Sequence, residues 1–251
     1  MHAIILAAGY ATRLYPLTKD QPKPLLKIGH KTILDYLLER IHQIPVIDNV
    51  HIVTNAQFFP IFQQWTDSAN AQGKYSHFYI HVIDDGTRSN ETRLGAIADV
   101  QYVIQKQQID DDLLVAAGDN IFTFDFFKFY QFWQGKKADV VAAQELLDHS
   151  RLKQRGVVEF DDGFLVVGFE EKPQKPRTTF VCPALYLHQK SSLPLYQCYL
   201  AQDGNPDAPG HFIAWLYQQT PIYAFVFQEE SYDIGTLETY HQVCERLQSD
   251  S

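Results

Sequence analysis

Ala3-Ile4-Ile5-Leu6-Ala7-Ala8-Gly9-Tyr10-Ala11-Thr12-Arg13-Leu14 decides how this chain is read. Residues 3–8 form an apolar run of strand length, and it breaks at Gly9 into a tight turn. Small residues at such a turn leave backbone N–H groups open to a close-lying phosphate. Arg13 follows within a few residues. A lysine bracketed by prolines comes next, in Gln21-Pro22-Lys23-Pro24-Leu25-Leu26. A phosphate cradle facing two fixed cations suits a nucleoside triphosphate, with Leu6, Ala7, Ala8 and Gly9 as its backbone contacts. Gly-x-Gly-x-x-Gly is absent, which argues against a dinucleotide site.

Outward from this stretch, strand and helix patterns alternate. Residues 49–54, 78–83, 113–117 and 139–143 read as strands, and 33–41, 58–65, 94–104 and 124–133 as helices. Such alternation implies an α/β fold: a three-layer, Rossmann-like arrangement around a mostly parallel mixed sheet. Active sites of these sheets lie beyond the carboxyl ends of the strands, where Gly9 and Asp119 both fall. The second half reads as a hairpin with an Asp-Gly turn (156–160 and 164–169), a strand (179–187) and a helix (193–200). A Pro/Gly loop (203–210), a strand (222–227) and a closing helix (237–247) follow. With no linker or repeat, 1–251 is expected to be one domain. Its nucleotide-binding half would cover about residues 1–145, and a sugar-side lobe about 146–251.

At 251 residues the chain can bury a substantial core. Its 21 basic and 30 acidic residues give a formal charge of −9, which argues against a nucleic-acid or anionic-membrane partner. Cys182, Cys198 and Cys244 show no paired or metal-type spacing, so reduced, mostly buried thiols are expected. No apolar run approaches membrane-spanning length and no signal segment is evident, so the expected compartment is the cytoplasm. The aromatic run 122–133 should be largely core, any exposed remainder offering a surface for self-association into a homo-oligomer.

Three further segments carry chemistry. Gly118-Asp119-Asn120 ends an apolar strand and places a carboxylate where Mg²⁺ would bridge phosphates, although the same residues also make a good turn. Glu170-Glu171-Lys172-Pro173 sets a lysine beside acids, and also reads as a solvated strand end. Ser231-Tyr232-Asp233-Ile234-Gly235-Thr236 precedes the last helix, which Thr236 is placed to cap. In this order the segments resemble the sugar-1-phosphate nucleotidylyltransferase family, including its glucose-1-phosphate thymidylyl- and uridylyltransferases. Members of that family open with a strand, Gly-x-Gly-Thr-Arg-Leu and Lys-Pro. Ala11 stands at the second glycine, which keeps the side chain small but removes easy access to positive φ.

The resemblance implies roles residue by residue. Arg13 and Lys23 would be catalytic, acting on the phosphates, and Asp119 and Asp233 would hold Mg²⁺. Lys172 would bind the sugar phosphate. It also implies a base-reading segment before the helix that follows the third strand. Either Gly86-Thr87 or Gly95-Ala96 matches it, and Asn90 and Thr92 between them have the hydrogen-bonding ability to contact a base edge. The activity so implied joins a nucleoside triphosphate and a sugar 1-phosphate, releasing pyrophosphate. A cytidylyltransferase acting on phosphocholine or another phospho-alcohol is the alternative. A non-catalytic regulatory protein on the same fold is a distant third, because such a protein would be expected to have lost its phosphate and metal ligands.

Overall fold

A computed structural model describes residues 1–248, and the chain forms two compact units. The first comprises Ala3–Arg93, Ala117–Phe126 and the chain from Glu229 onward; the second comprises Met1–His2, Leu94–Ala116 and Phe127–Gln228. The chain therefore passes repeatedly between units instead of dividing once near residue 145.

In the first unit, the β-branched strand Asn49–Thr54 pairs in parallel with Tyr79–Asp84, from Asn49 opposite Tyr79 to Thr54 opposite Asp84. The opening strand, His2–Leu6, ends beside them, with the Ala7 N–H donating to Val53 O at 2.9 Å. Helix Ile33–Ile41 begins at a capping box: Thr32 Oγ1 accepts from the Asp35 N–H while Asp35 accepts from the Thr32 N–H. Its apolar face is fully buried. The second helix, Phe59–Ala71, extends well past the expected 58–65. Under the turns that follow the opening strand, Leu14, Leu26, Ile28, Ile33, Ile121, Ile234 and Val243 form one buried cluster.

In the second unit, Asp139–Glu145 is the central strand. It runs parallel to Ile222–Phe227 and antiparallel to Phe180–Cys182 and Leu185–His188. Leu185–His188 also pairs antiparallel with Leu113–Ala117. The single strand expected over 179–187 is thus two, broken at Pro183-Ala184, because proline cannot donate to a ladder. Gly156–Phe160 and Val166–Glu171 form the expected hairpin. In its turn the left-handed residue is Phe164 (φ 66°), with Asp161 Oδ1 accepting from the Gly163 and Leu165 N–H groups.

Helix Pro209–Leu216 was not expected. Its proline stands in the first turn, where a missing N–H costs nothing, and Pro209-Gly210 reads as loop chemistry instead. The helix from Phe126 to Lys136 buries Phe126, Phe129, Tyr130 and Trp133, leaving Phe127 40% exposed. A buried polar network fastens the central strand. Asp139 accepts from His188 Nδ1, Ser192 Oγ and the Gln189 N–H at 2.8–2.9 Å, and Tyr196 OH bonds His188 Nε2 at 3.1 Å. The three cysteines are unpaired, but only Cys182 is fully buried; Cys198 is exposed. Among the described residues, no helix is long and apolar enough to cross a membrane.

Candidate active site

The first unit contains every predicted site residue except Lys172. After the opening strand, Ala7 and Ala8 are buried and Leu6 half-buried, while Gly9 is exposed. Asn55, itself fully buried, donates from Nδ2 to Ala8 O at 2.9 Å and so fixes the start of the turn. Ala11 adopts the left-handed conformation that its side chain disfavours (φ 47°, ψ 40°). Positive φ is thus reached here without the glycine that gives easy access to it. The Thr18 hydroxyl, fully buried, donates to Ala11 O at 2.8 Å, and the Leu14 N–H donates to the same carbonyl at 3.0 Å. Leu14 is anchored in the core, leaving Arg13 exposed on the single turn Thr12–Leu14.

Lys23 lies on a second short turn, Lys23–Leu25, between buried prolines. Its side chain is 11% exposed, and Nζ sits 2.6 Å from Asp119 Oδ2. Asp119 is placed by Gly118, whose N–H donates to Leu6 O at 2.9 Å. A β-carbon on Gly118 would stand 3.0 Å from that carbonyl and 3.3 Å from Pro24, so only glycine fits without a shift. Beyond Asp119, Asn120–Phe122 pairs antiparallel with Ser231–Asp233, setting Asp233 opposite Asn120. The Ile234 N–H reaches Asp119 O at 3.3 Å. Both carboxylates thus stand on adjoining backbone over one core, in which Ile121 and Ile234 are anchors. Thr236 caps the closing helix, exchanging bonds with Thr239 in both directions.

Among the described residues, no three His, Cys, Asp or Glu side chains cluster as a metal ligand set. Asp119 and Asp233 still fit Mg²⁺, which keeps several waters and is characteristically held by one or two carboxylates plus substrate phosphates. Asp119 moreover already accepts a cation's charge at short range.

The loop beyond Asp84 is built from its own side chains. Asp84 Oδ1 accepts from the Gly86 N–H, and Asp85 Oδ1 accepts from both N–H and hydroxyl of Thr87. Thr87 O takes the Ala56 N–H at 2.9 Å, which docks Gly86-Thr87 beside the strand ends. Asn90 and Thr92 lie exposed on one short turn. Asn90 Oδ1 accepts from Arg93 Nη1 at 3.1 Å, and Thr92 Oγ1 donates to Ser89 O at 3.2 Å. Gly95-Ala96 belongs to the second unit. There the Ala96 and Ile97 N–H groups donate to Asp207 O and Pro206 O, so the loop 203–210 already caps helix Ala96–Lys106.

Lys172 also lies in the second unit, in the left-handed region (φ 50°), its N–H donating to Arg155 O at 3.1 Å. Its amine is exposed, 3.7 Å from Glu171 Oε1. Glu171 is the residue whose placement sequence reasoning did not reach. Its side chain is 9% exposed, and its carboxylate packs against Gly156 and against Gly210, at the start of the unforeseen helix. A β-carbon on Gly210 would overlap Glu171 Oε2. Burial pushes the Glu171 carboxyl above its ordinary range, partly offset by Lys172 and His211. The proline opening helix 209–216 was the one signal available.

A family model described as nucleotidyl transferase matches residues 2–250, and the chain belongs to that family. It is 30% identical over 192 residues to a putative mannose-1-phosphate guanyltransferase of Sulfolobus acidocaldarius, covering 76% of this chain and 49% of that protein. It is 28% identical over 197 residues to the bifunctional protein GlmU of Methanocaldococcus jannaschii, covering 78% and 42%. To a glucose-1-phosphate adenylyltransferase of Clostridium novyi it is 28% identical over 255 residues, covering 96% and 65%. The chain thus spans from under half to just under two thirds of the length of these relatives. Its fold matches that of a UDP-glucose pyrophosphorylase complexed with UDP-glucose (TM-score 0.83, 16% identity, 100% and 99% of the chains). It also matches a putative glucose-1-phosphate thymidylyltransferase from Bacillus anthracis (TM-score 0.77, 20% identity, 98% and 95%).

Proposed function

We propose that this chain transfers a nucleoside monophosphate from a nucleoside triphosphate to a sugar 1-phosphate, releasing pyrophosphate, with Mg²⁺ as cofactor. The observation that carries the reading is the convergence, over one core of the first unit, of the Gly9 turn, Arg13, the Lys23–Asp119 pair and the Asp233 strand end. Family membership supports the reaction class, and sugar-phosphate substrates in the names of several relatives support the acceptor.

The acceptor phosphate is already anionic, so positioning and charge neutralisation count for more than proton transfer. Leu6 to Gly9 would contact the nucleotide through backbone. Arg13, exposed beside that turn, would stabilise the leaving pyrophosphate, and Lys23 the phosphates near the reacting centre. Lys172 would hold the sugar phosphate. Mg²⁺, held by Asp119 and Asp233, would supply charge compensation at the phosphates. The loop from Gly86 to Arg93 would read the base; the N–H groups of Ala96 and Ile97, taken by the 203–210 loop, favour it over Gly95-Ala96.

Pyrophosphate release measured across a matrix of triphosphates and phosphorylated acceptors tests this. Turnover is expected with at least one sugar 1-phosphate. Turnover confined to phosphocholine would move the chain to the cytidylyltransferase alternative, and none with any pair would defeat the reading.

A further inference from the structure

We propose that the Lys23–Asp119 ion pair is a hand-over device. The ammonium occupies the Asp119 carboxylate until a divalent cation takes its place, and is thereby released to the triphosphate. The inference rests on the metal assignment proposed above.

Lys23 Nζ lies 2.6 Å from Asp119 Oδ2, the short range of a charge-assisted bond. The lysine end is 11% exposed and the aspartate end 35%, so the pair opens to solvent from the carboxylate side. Both backbones are held independently of the pair. The Leu25 and Leu26 N–H groups donate to Pro22 O and Lys23 O, and Gly118 is pinned to Leu6 O. Exchange therefore requires only side-chain movement. A second cation arriving on this carboxylate meets the ammonium a few ångströms away, where like charges repel strongly in a half-buried setting. Ammonium and metal thus compete. A triphosphate offers the displaced ammonium a new anion, so metal and triphosphate each favour the other's binding, a coupling that must be reciprocal.

Mn²⁺ alone, without nucleotide, is the probe, its free concentration read by electron paramagnetic resonance. Lys23→Gln should bind Mn²⁺ about fivefold more tightly than the parent chain, the scale of a partly exposed ion pair. Lys23→Arg, which keeps the charge, should bind no more tightly than the parent. Asp119→Asn should weaken binding whether or not Lys23 is present. If Lys23→Gln melts early by circular dichroism, Lys23→Met, which keeps the apolar stem, takes its place. Unchanged or weaker Mn²⁺ affinity on neutralising Lys23, with Asp119→Asn still weakening it, overturns the hand-over and leaves the metal assignment standing. Unchanged affinity in Asp119→Asn overturns both.

Discussion

The two units hold their functional side chains by different means. In the first, short-range spelling does most of the work: each polar group stands one or two residues from an apolar anchor, as Arg13 does from Leu14 and Asp233 from Ile234. In the second, Glu171 and Lys172 close a strand that any sequence reader would find. Yet the carboxylate is seated by Gly156 and Gly210, which are distant in the chain. A site spelled locally tolerates change around it. One assembled from distant glycines is tied to the stability of its unit, and single substitutions can separate the two cases.

The largest difference should appear in turnover. Asp119→Asn is expected to lower pyrophosphate release by about a thousandfold, because the charge that would hold the metal is lost. Lys172→Ala, on an exposed amine, should chiefly raise the Michaelis constant for the sugar phosphate. Near-normal rates in Asp119→Asn at low Mg²⁺ would count heavily against the metal assignment.

Stability should show the reverse ordering. Gly210→Ala forces a methyl group into the Glu171 carboxylate and should cost about 1–3 kcal/mol in urea titrations. Gly9→Ala meets nothing within 4 Å and should stay within about 0.5 kcal/mol. Comparable losses at the two positions would erase the distinction between the units.

Glu171 sharpens it through pH. Its folded-state pKa is raised, chiefly by burial, so the folded chain holds this proton more tightly than the unfolded chain. Its contribution to stability is complete below the unfolded pKa and lost as pH rises through the folded one. Glu171→Gln should therefore gain stability on the parent as the buffer moves from pH 4 to pH 8; a constant difference across that range would contradict it. At the opening turn the expected change is a gain. Ala11→Gly relieves a left-handed alanine and should stabilise by up to about 1 kcal/mol, read from the urea midpoint.

Much of this was legible in the sequence, and for stated reasons. Helix Ile33–Ile41 was found at its observed bounds from its apolar periodicity, and the capping box of Thr32 and Asp35 is the physical reason it starts there. Strands Asn49–Thr54 and Ile222–Phe227 were found because β-branched and aromatic residues are bounded by turn chemistry. Helix Pro209–Leu216 was lost because a proline and a glycine that open a helix look the same as ones that close a loop. The left-handed Ala11 was hidden because the hydroxyl that steadies it, on Thr18, lies beyond the motif. The proposed preference for Gly86-Thr87 over Gly95-Ala96 rests on which N–H groups are already taken, and no local pattern records that.

The repeated passage of the chain between units has a consequence for how the protein is made. Ile234 and Val243 share a cluster with Leu14 and Leu26. The ground beneath Arg13 and Lys23 is therefore incomplete until the segment from Glu229 onward has left the ribosome. The opening motif, although translated first, has to wait through synthesis of almost the entire second unit before it can be sealed. In that interval its apolar residues are open to chaperones, and a messenger cut short before Ile234 would yield a product bearing the opening turn but lacking its floor.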